Sequence, residues 1–423
     1  MVISRSLVIL TNTGYKNTMM GEIPEDWSVR PLSEVGQYIN GMAFKPSEWR
    51  DQGIPIVRIE NLNNIKAPFN YYQGTFEPKY LLENGELLLS WSASLGVYLW
   101  DRGRALLNQH IFKVIPNESV SKHFLYWALH KAVENLGRVT HGSTMKHFKK
   151  GELEQTIIGL PSFPEQQKIA EILTTADAAI QKVDEQITLT EHLKKDLMQR
   201  LLTRGIGHTR FRETVIGKIP EEWETAKLVE LSEHITKGTT PTSYGFEYTS
   251  SGIHFIKVES IDNQGKFVKQ NISYISQDAN VTFSRSILRE NDILFSIAGA
   301  LGRVAVVNGE ILPANVNQAL SIIRLKDQEL LSVTFLKYFL MGFQIQNLVK
   351  TIAIQSQQAN INLEHVRNFL VAMPSLGEQQ KIAEILSSVD DKLNFLRKKT
   401  ENLKVIKHGL MDYLLTGKVR VKV

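Results

Sequence analysis

One nine-residue block, EQQKIAEIL, occurs twice in this 423-residue chain, at Glu165–Leu173 and again at Glu378–Leu386. The second copy begins 213 residues after the first, which is about half the length of the chain. A second repeat opens each half, because GEIPEDW (Gly21–Trp27) is matched by GKIPEEW (Gly217–Trp223). Self-similarity at one long period indicates that a single structural unit has been used twice. The function must therefore suit a molecule with two pseudo-equivalent halves.

Each copy of the block opens a segment in which apolar residues step alternately by four and three positions. The main positions of the two series are Ile169, Leu173, Ile180 and Ile187 in the first, and Ile382, Leu386, Leu393 and Leu403 in the second. This spacing is typical of a coiled coil, and it predicts two long helices. Because the two apolar stripes match in sequence, we expect the helices to pair with each other in antiparallel order. The alternative is that each helix packs separately on its own globular domain.

The segments before the helices have the pattern of mixed α/β domains rich in strands. Apolar, β-branched runs cover Gly53–Leu62 and Gly252–Ile261, and further strand–turn–strand patterns follow each of them. A late helix is expected over Lys122–Leu136 and over Val333–Lys350. The predicted fold class is α/β (α+β), with two strand-rich domains joined by two long helices that form an antiparallel coiled coil with pseudo-two-fold symmetry. The expected boundaries are 1–160 for the first domain, 161–205 for the central helical segment, 206–373 for the second domain and 374–423 for the C-terminal helical segment.

Composition excludes several classes of protein. The chain has no cysteine, which rules out disulfides, cysteine-ligated zinc and thiol nucleophiles and suits a cytoplasmic protein. No apolar run approaches the roughly 18 residues that span a bilayer, so we expect no membrane partner. The formal net charge of +5 permits binding to nucleic acid but is too small to demonstrate it.

Sequence motifs for catalysis are missing. The glycines of Gly36–Gly41 have P-loop spacing, but Met42 stands where the loop requires lysine. The chain contains no G-x-G-x-x-G, no H-E-x-x-H and no amino-methyltransferase signature, and its histidines lack the spacing of metal ligands. We therefore predict no catalytic residues and no metal site in this chain.

Polar side chains on loops between the predicted strands have the chemistry to contact the edges of DNA bases. Asn108 and Gln109 recur at an equivalent position as Asn317 and Gln318, and an amide side chain can form two hydrogen bonds with adenine. The alternative is that these amides bond to the backbone within a turn, which their presence in both halves favours.

Two longer loops differ between the halves, and they are stronger candidates for specificity. GSTMKHFKK (Gly142–Lys150) is basic, whereas the equivalent IQSQQANIN (Ile354–Asn362) is rich in amides. The candidates in these loops are Ser143, Thr144, Lys146, Gln355, Ser356, Gln357 and Gln358. Weaker candidates for contact with phosphate or bases are Lys45, Arg58, Trp91, Lys257 and Arg303. We expect the repeated Trp27 and Trp223 to be buried anchors.

Taken together, the G-x-I-P-E-x-W opening of each half, the strand block ending in Asn-Gln and the repeated EQQKIAEIL resemble the specificity (S) subunit of type I restriction–modification systems. The resemblance covers nearly the whole chain. It implies two target-recognition domains that each read one half of a split sequence in double-stranded DNA. It also implies that the helical residues named above form a spacer and dock two methyltransferase (M) subunits, with restriction (R) subunits in the full complex. S-adenosylmethionine, ATP and Mg would then be bound by the partner subunits, and this chain would bind no cofactor.

Two other functions remain open from the sequence. One is a self-sufficient DNA modification enzyme, against which the missing methyltransferase signature argues. The other is a scaffold whose paired domains bind proteins. Specific DNA binding with a steep dependence on salt would separate the DNA-recognition subunit from the scaffold.

Overall fold

The chain forms two compact units in a computed structural model that describes residues 14–92, 94–139, 151, 155–355 and 360–423. Unit 1 comprises Met1–Asp184 and Lys398–Val423, and unit 2 comprises Glu185–Arg397. No helix in the described part of the chain is both long and apolar enough to cross a membrane.

Unit 1 is built on two four-stranded sheets. Its strands are β1 (Tyr15–Thr18), β2 (Gly21–Pro24), β3 (Ser28–Pro31), β4 (Gly36–Asn40), β5 (Ile54–Val57), β6 (Asn70–Tyr72), β7 (Leu81–Leu82), β8 (Leu87–Ser90), β9 (Gly96–Leu99), β10 (Ala105–Leu107), β11 (Ile111–Pro116) and β12 (Ile157–Leu160). Its helices are α1 (Leu32–Val35), α2 (Ile59–Asn63), α3 (Lys122–Val139) and the first part of α4 (Phe163–Arg204). One sheet is antiparallel in the order β4-β11-β8-β9, and the other has the order β6-β5-β10-β7 with β5 and β10 parallel.

Unit 2 repeats this plan. Its strands are β13 (Phe211–Thr214), β14 (Gly217–Pro220), β15 (Glu224–Lys227), β16 (Ser232–Lys237), β17 (Ile253–Ile256), β18 (Ser273–Ile275), β19 (Ile293–Ser296), β20 (Val304–Val306), β21 (Ala314–Val316), β22 (Leu320–Leu325) and β23 (Leu370–Met373). Its helices are the second part of α4, α5 (Leu228–Leu231), α6 (Gln277–Thr282), α7 (Val333–Met341), α8 (Phe343–Gln355), α9 (Leu363–Arg367) and the first part of α10 (Leu376–Leu414), whose end belongs to unit 1. The order β16-β22-β19-β20 corresponds to β4-β11-β8-β9, and β18-β17-β21 corresponds to β6-β5-β10. The expected fold class of two repeated α/β domains with long helices is confirmed.

One inner strand of each antiparallel sheet, β8 in unit 1 and β19 in unit 2, is buried on both faces. In unit 1, Leu87 and Leu89 belong to the main core, whereas Leu88 belongs to a second cluster. In unit 2, Phe295 and Leu294 divide between two cores in the same way. Successive side chains of a strand point to opposite faces, so these continuous apolar runs fill two cores at once.

Three predicted elements differ from the structure: two strands are shorter than the sequence suggested, and one helix is broken. The apolar runs after Gly53 and Gly252 leave the strand at Arg58 and Lys257, because the backbone N–H of each residue donates to a side chain three positions later. The late helix of unit 2 breaks at Gly342, whose N–H donates to the Phe339 carbonyl at 3.0 Å. A side chain at that position would press against Leu202.

The two long helices pair in antiparallel order within unit 1. Lys407 Nζ lies 2.6 Å from the Asp177 carboxylate, and the Thr400 hydroxyl donates to Asp184 at 3.1 Å. Ile169 and Leu173, at the start of α4, belong to the same core as Leu414 at the end of α10, and Ile180 is also buried.

The stretches of the helices in unit 2 are also antiparallel. Lys194 Nζ lies 2.6 Å from Asp390, and Arg397 Nη2 lies 2.6 Å from Glu191. The apolar positions there are Ile382, Leu386 and Leu393, which are buried, and Ile187, which is half-buried; Leu403, in the unit 1 stretch of α10, is also half-buried. Ile382 and Leu386 belong to the globular core of unit 2. Each helix therefore pairs with its partner and also packs on a globular core, so the two alternatives from the sequence both hold locally.

The repeated motifs join each globular domain to its long helix. Trp27 Nε1 donates to Glu165 at 3.1 Å, and Trp223 Nε1 donates to Glu378 at 3.0 Å. Both tryptophans are 1% exposed, as their predicted role as buried anchors requires. The following glutamine is also structural in both units, because Gln166 and Gln379 accept the backbone N–H at the start of α3 and α7.

Candidate nucleic-acid interface

In unit 1, three backbone segments meet where β5 and β10 end. These strands are parallel, with Val57 opposite Leu107, so the next residues, Arg58 and Asn108, emerge side by side. The Asn108 N–H donates to the Val57 carbonyl at 3.3 Å. The chain after β4 joins them at Gly41, where any side chain would collide with the Asn108 carbonyl. Polar side chains from three separate loops are thereby collected at one edge.

Aromatic and amide groups cluster at this edge. Trp91 Nε1 donates to Asn40 Oδ1 at 3.3 Å, and the Trp91 ring lies 5.6 Å from the ring of His110. The Gln109 amide lies 3.4 Å from His110 Nε2. The structure therefore brings together four residues singled out from the sequence, Arg58, Trp91, Asn108 and Gln109, and adds Asn40 and His110.

The corresponding edge of unit 2 has the same backbone and different side chains. Lys257 and Asn317 follow the parallel strands β17 and β21, and the Asn317 N–H donates to the Ile256 carbonyl at 3.1 Å. Gly238 admits the third segment as Gly41 does. The Gln318 amide oxygen accepts the Thr240 hydroxyl.

The asparagine of each Asn-Gln pair has a turn role, which was the alternative favoured from the sequence. Asn108 Oδ1 accepts the His110 N–H at 3.4 Å, and Asn317 Oδ1 accepts the Ala319 N–H at 3.2 Å. Gln109 remains half-buried and Gln318 is exposed. Of each pair, the glutamine is therefore the residue with a side chain available for a ligand.

A cation stands at the same place in both edges, and each one lies over an aromatic ring. Arg58 is 5.1 Å from the centre of the Trp49 ring, and Lys257 Nζ is 4.9 Å from the centre of the Tyr248 ring. Sequence reasoning missed these rings, because a tertiary contact creates each pair. A signal was present, since each aromatic residue precedes its cation by nine positions.

The remaining candidates lie in different settings. Arg303 donates to the carbonyls of Val258 and Ile261 at 2.9 and 2.6 Å, so it stabilises the loop that follows Lys257. Lys45 is exposed at the start of the Pro46–Glu48 turn.

Gln355 is exposed at the end of α8. The Ile361 N–H donates to the Ile297 carbonyl at 2.9 Å, next to the turn between β19 and β20. The candidates Ser143, Thr144, Lys146, Ser356, Gln357 and Gln358 lie outside the residues that the structure describes.

Apolar side chains remain on the surface of the helices in unit 2. Leu189 and Leu193 lie one turn apart on α4 and are 69% and 51% exposed, and Phe395 on α10 is 61% exposed. The predicted seam residues Ile169, Leu173, Ile382 and Leu386 are inside the cores instead, so they present no surface for docking a partner.

The family model described as "Type I restriction modification DNA specificity domain" matches the chain twice, at residues 24–191 and 220–405. The chain belongs to this family. Each match contains one of the two edges described above and runs into one of the long helices. The family explains the repeat, since one domain of this type occupies each half.

Individual relatives agree over nearly the full length. The chain is 27% identical over 410 residues to the type I restriction enzyme MjaVIII specificity subunit of Methanocaldococcus jannaschii, covering 95% of this chain and 94% of that protein. It is 26% identical over 418 residues to the EcoBI specificity subunit of Escherichia coli, covering 94% and 86%. A crystal structure of the type I S subunit from M. genitalium has the same fold, with a TM-score of 0.57 and 15% identity over 97% of this chain and 98% of that one.

Proposed function

We propose that this chain is the DNA-recognition subunit of a type I restriction–modification complex, in which each repeat reads one half of a split target in double-stranded DNA. The observation that carries the proposal is the edge built twice on one backbone plan with unlike side chains. Arg58, Trp91, Gln109 and His110 stand at the first edge. The second edge presents Lys257, Gln318 and Thr240.

The chemistry of these side chains suits the major groove. Glutamine can bond adenine through two hydrogen bonds, hydroxyl groups can bond several bases, and arginine or lysine can donate either to guanine or to the phosphate backbone. Because the two edges differ, the two half-sites should differ as well, and the complete target should be asymmetric. The long helices would set the length of the unread spacer between the half-sites.

The same proposal assigns catalysis to partner subunits. Methyl transfer from S-adenosylmethionine, and cleavage that requires ATP and Mg, would belong to the methyltransferase and restriction subunits. The exposed Leu189, Leu193 and Phe395 offer an apolar surface for docking a methyltransferase subunit, as hydrophobic side chains at the centre of interfaces do. The purified chain alone should then transfer no methyl groups.

Exchanging residues 1–160 for the equivalent segment of a relative tests the proposal. Methylated positions would be mapped in genomic DNA from cells that carry the parent or the exchanged chain with the methyltransferase subunit. One half-site should change, while the other half-site and the spacer remain. A change in both half-sites at once would contradict independent reading by the two repeats.

A further inference from the structure

Most side chains at the two edges differ, but the arrangement around one cation is the same. Arg58 and Lys257 each follow the parallel strand that corresponds to the other, and each lies about 5 Å from an aromatic ring centre. A glutamate follows each cation by two positions. Arg58 Nη2 is 3.0 Å from Glu60, and Lys257 Nζ is 3.5 Å from Glu259.

The side chains of the two cation–glutamate pairs are also exposed to similar extents. The side chains of Arg58 and Lys257 are 28% and 24% exposed, whereas those of Glu60 and Glu259 are 58% and 60% exposed. Each cation thus contacts an aromatic ring and an exposed acidic group, and its own side chain is largely buried. An ion pair this exposed is weak in water, so another anion can replace the carboxylate.

The presence of the same cation arrangement in both units indicates the chemistry of the ligand. Two half-sites of different sequence share no base pattern, but they share the phosphate backbone. A contact retained at the same place in two domains that read different bases therefore suits phosphate better than a base. Phosphate also accepts either arginine or lysine, which is the difference found between the two edges.

We infer that Arg58 and Lys257 are equivalent phosphate-binding residues, one for each half-site, and that Glu60 and Glu259 hold the place of the phosphate while DNA is absent. This inference rests on the proposed function and adds to it a division of labour within each edge. The cation fixes each domain on the backbone, and neighbouring side chains such as Gln109 and Gln318 are left to read bases. The ring beneath each cation limits the positions of its charged group before DNA arrives.

The structure contains a further sign of unused bonding capacity at the first edge. Arg58 Nε is buried and has no hydrogen-bond partner among the described residues. A buried donor without a partner is costly, and a ligand oxygen that reached it would remove that cost. The guanidinium group can therefore offer a phosphate more than the one contact that Glu60 now accepts.

The substitutions Arg58→Gln and Lys257→Gln test the inference in the complex of the full chain with its methyltransferase subunits. Affinity for a duplex carrying the mapped target would be measured over a range of salt concentrations. Each substitution should reduce the slope of log K against log salt by about 0.9, the value for one lost phosphate contact. Affinity should fall on the order of tenfold, because a hydrogen bond to a charged group is lost. Base preference at both half-sites should stay as in the parent, and Arg58→Lys and Lys257→Arg should restore the slope.

The substitutions Glu60→Gln and Glu259→Gln should have the opposite effect. With the competing carboxylate removed, affinity should rise for target and unrelated duplexes by the same factor. Matched controls lie at the other end of the same strands: Arg104, paired with Glu83 at 4.0 Å just before β10, and Arg289, paired with Glu233 at 3.8 Å and next to Leu288, whose N–H donates to the Ala314 carbonyl at the start of β21. Arg104→Gln and Arg289→Gln should leave the slope unchanged.

Two results would overturn the inference while the proposed function stands. One is an unchanged salt slope for Arg58→Gln and Lys257→Gln in a complex that still binds its target. The other is a relaxed preference at a single base pair, which would make these residues base readers. Failure of the parent complex to prefer any duplex sequence would instead contradict the proposed function.

Discussion

At the scale of single residues, the glutamate of the repeated tryptophan–glutamate bond has a different additional partner in each unit. Glu165 is 1% exposed and is paired with Arg420, whose guanidinium donates to it at 2.7 and 2.9 Å and also to Asp26. The hydrogen bond to Glu165 raises the pKa of Arg420 further above its ordinary value. Glu378 is instead contacted by His208 at 3.0 Å. A buried carboxylate persists only when it is paired, so Arg420 holds the first joint together.

Arg420→Ala should therefore destabilise unit 1 strongly. The substitution leaves the Glu165 charge buried with only the Trp27 bond, which typically costs about 3–5 kcal/mol. Chemical denaturation followed by the fluorescence of the tryptophans would measure the loss. Lys422→Ala, at an exposed position two residues away, is the control and should change stability by less than about 0.5 kcal/mol. A similar small effect for both variants would contradict the role of Arg420.

His130 gives unit 1 a dependence on pH. The ring packs 4.5 Å from Tyr126 and 5.6 Å from Trp127, between ring centres, and burial together with the nearby Lys407 lowers its pKa to about 4. The unfolded chain binds the proton at about pH 6.5, so folding disfavours protonation between these values. The contribution of neutral His130 to the free energy of unfolding should be fully present above about pH 6.5 and should be lost as pH falls toward 4. His130→Gln should flatten the part of the profile in this window, and a profile that is unchanged by the substitution would exclude His130 as the cause.

At the scale of elements, the sequence predicted the long helices well because their signals are local. The apolar steps and the glycines that end them lie within the segments, and Gly205 and Gly417 have positive φ values of 62° and 70°. The burial of the helix ends in globular cores could not be predicted, since it depends on residues far away in the chain. The same limit applies to the interface: the Asn-Gln pairs were visible as repeats, whereas Trp49 beneath Arg58 required the folded chain.

Leu386 and its neighbour Ile385 separate the buried and exposed faces of α10. Leu386 is 0% exposed in the core of unit 2, and Ile385 is 36% exposed. Leu386→Ala should cost about 2–5 kcal/mol through lost burial and the cavity left behind. Ile385→Ala should cost less than about 1 kcal/mol in the same denaturation experiment. Equal losses would mean that α10 packs by a different face.

At the scale of the whole molecule, the two helices are the part of the chain that both units share. Adding one heptad at matching positions of α4 and α10 lengthens each helix by about 10.5 Å, which is close to three base pairs of DNA. If the helices set the spacer, the methylated target should gain about three unread base pairs while both half-sites are retained. Replacing seven exposed helix residues without changing the length is the control. An unchanged spacer after the insertion would contradict this role.

The division of the chain also determines when each unit can complete its folding during synthesis. Unit 2 is one uninterrupted stretch, Glu185–Arg397, whereas unit 1 is completed only by Lys398–Val423. Leu414 lies in the core of unit 1, and Arg420 neutralises its buried glutamate. The ribosome must therefore add Lys398–Val423 before unit 1 can close, although domains commonly fold from the amino terminus onward as they emerge. A deletion confined to Lys398–Val423 should thus spare every residue of unit 2 and leave unit 1 incomplete, although most of unit 1 is encoded first.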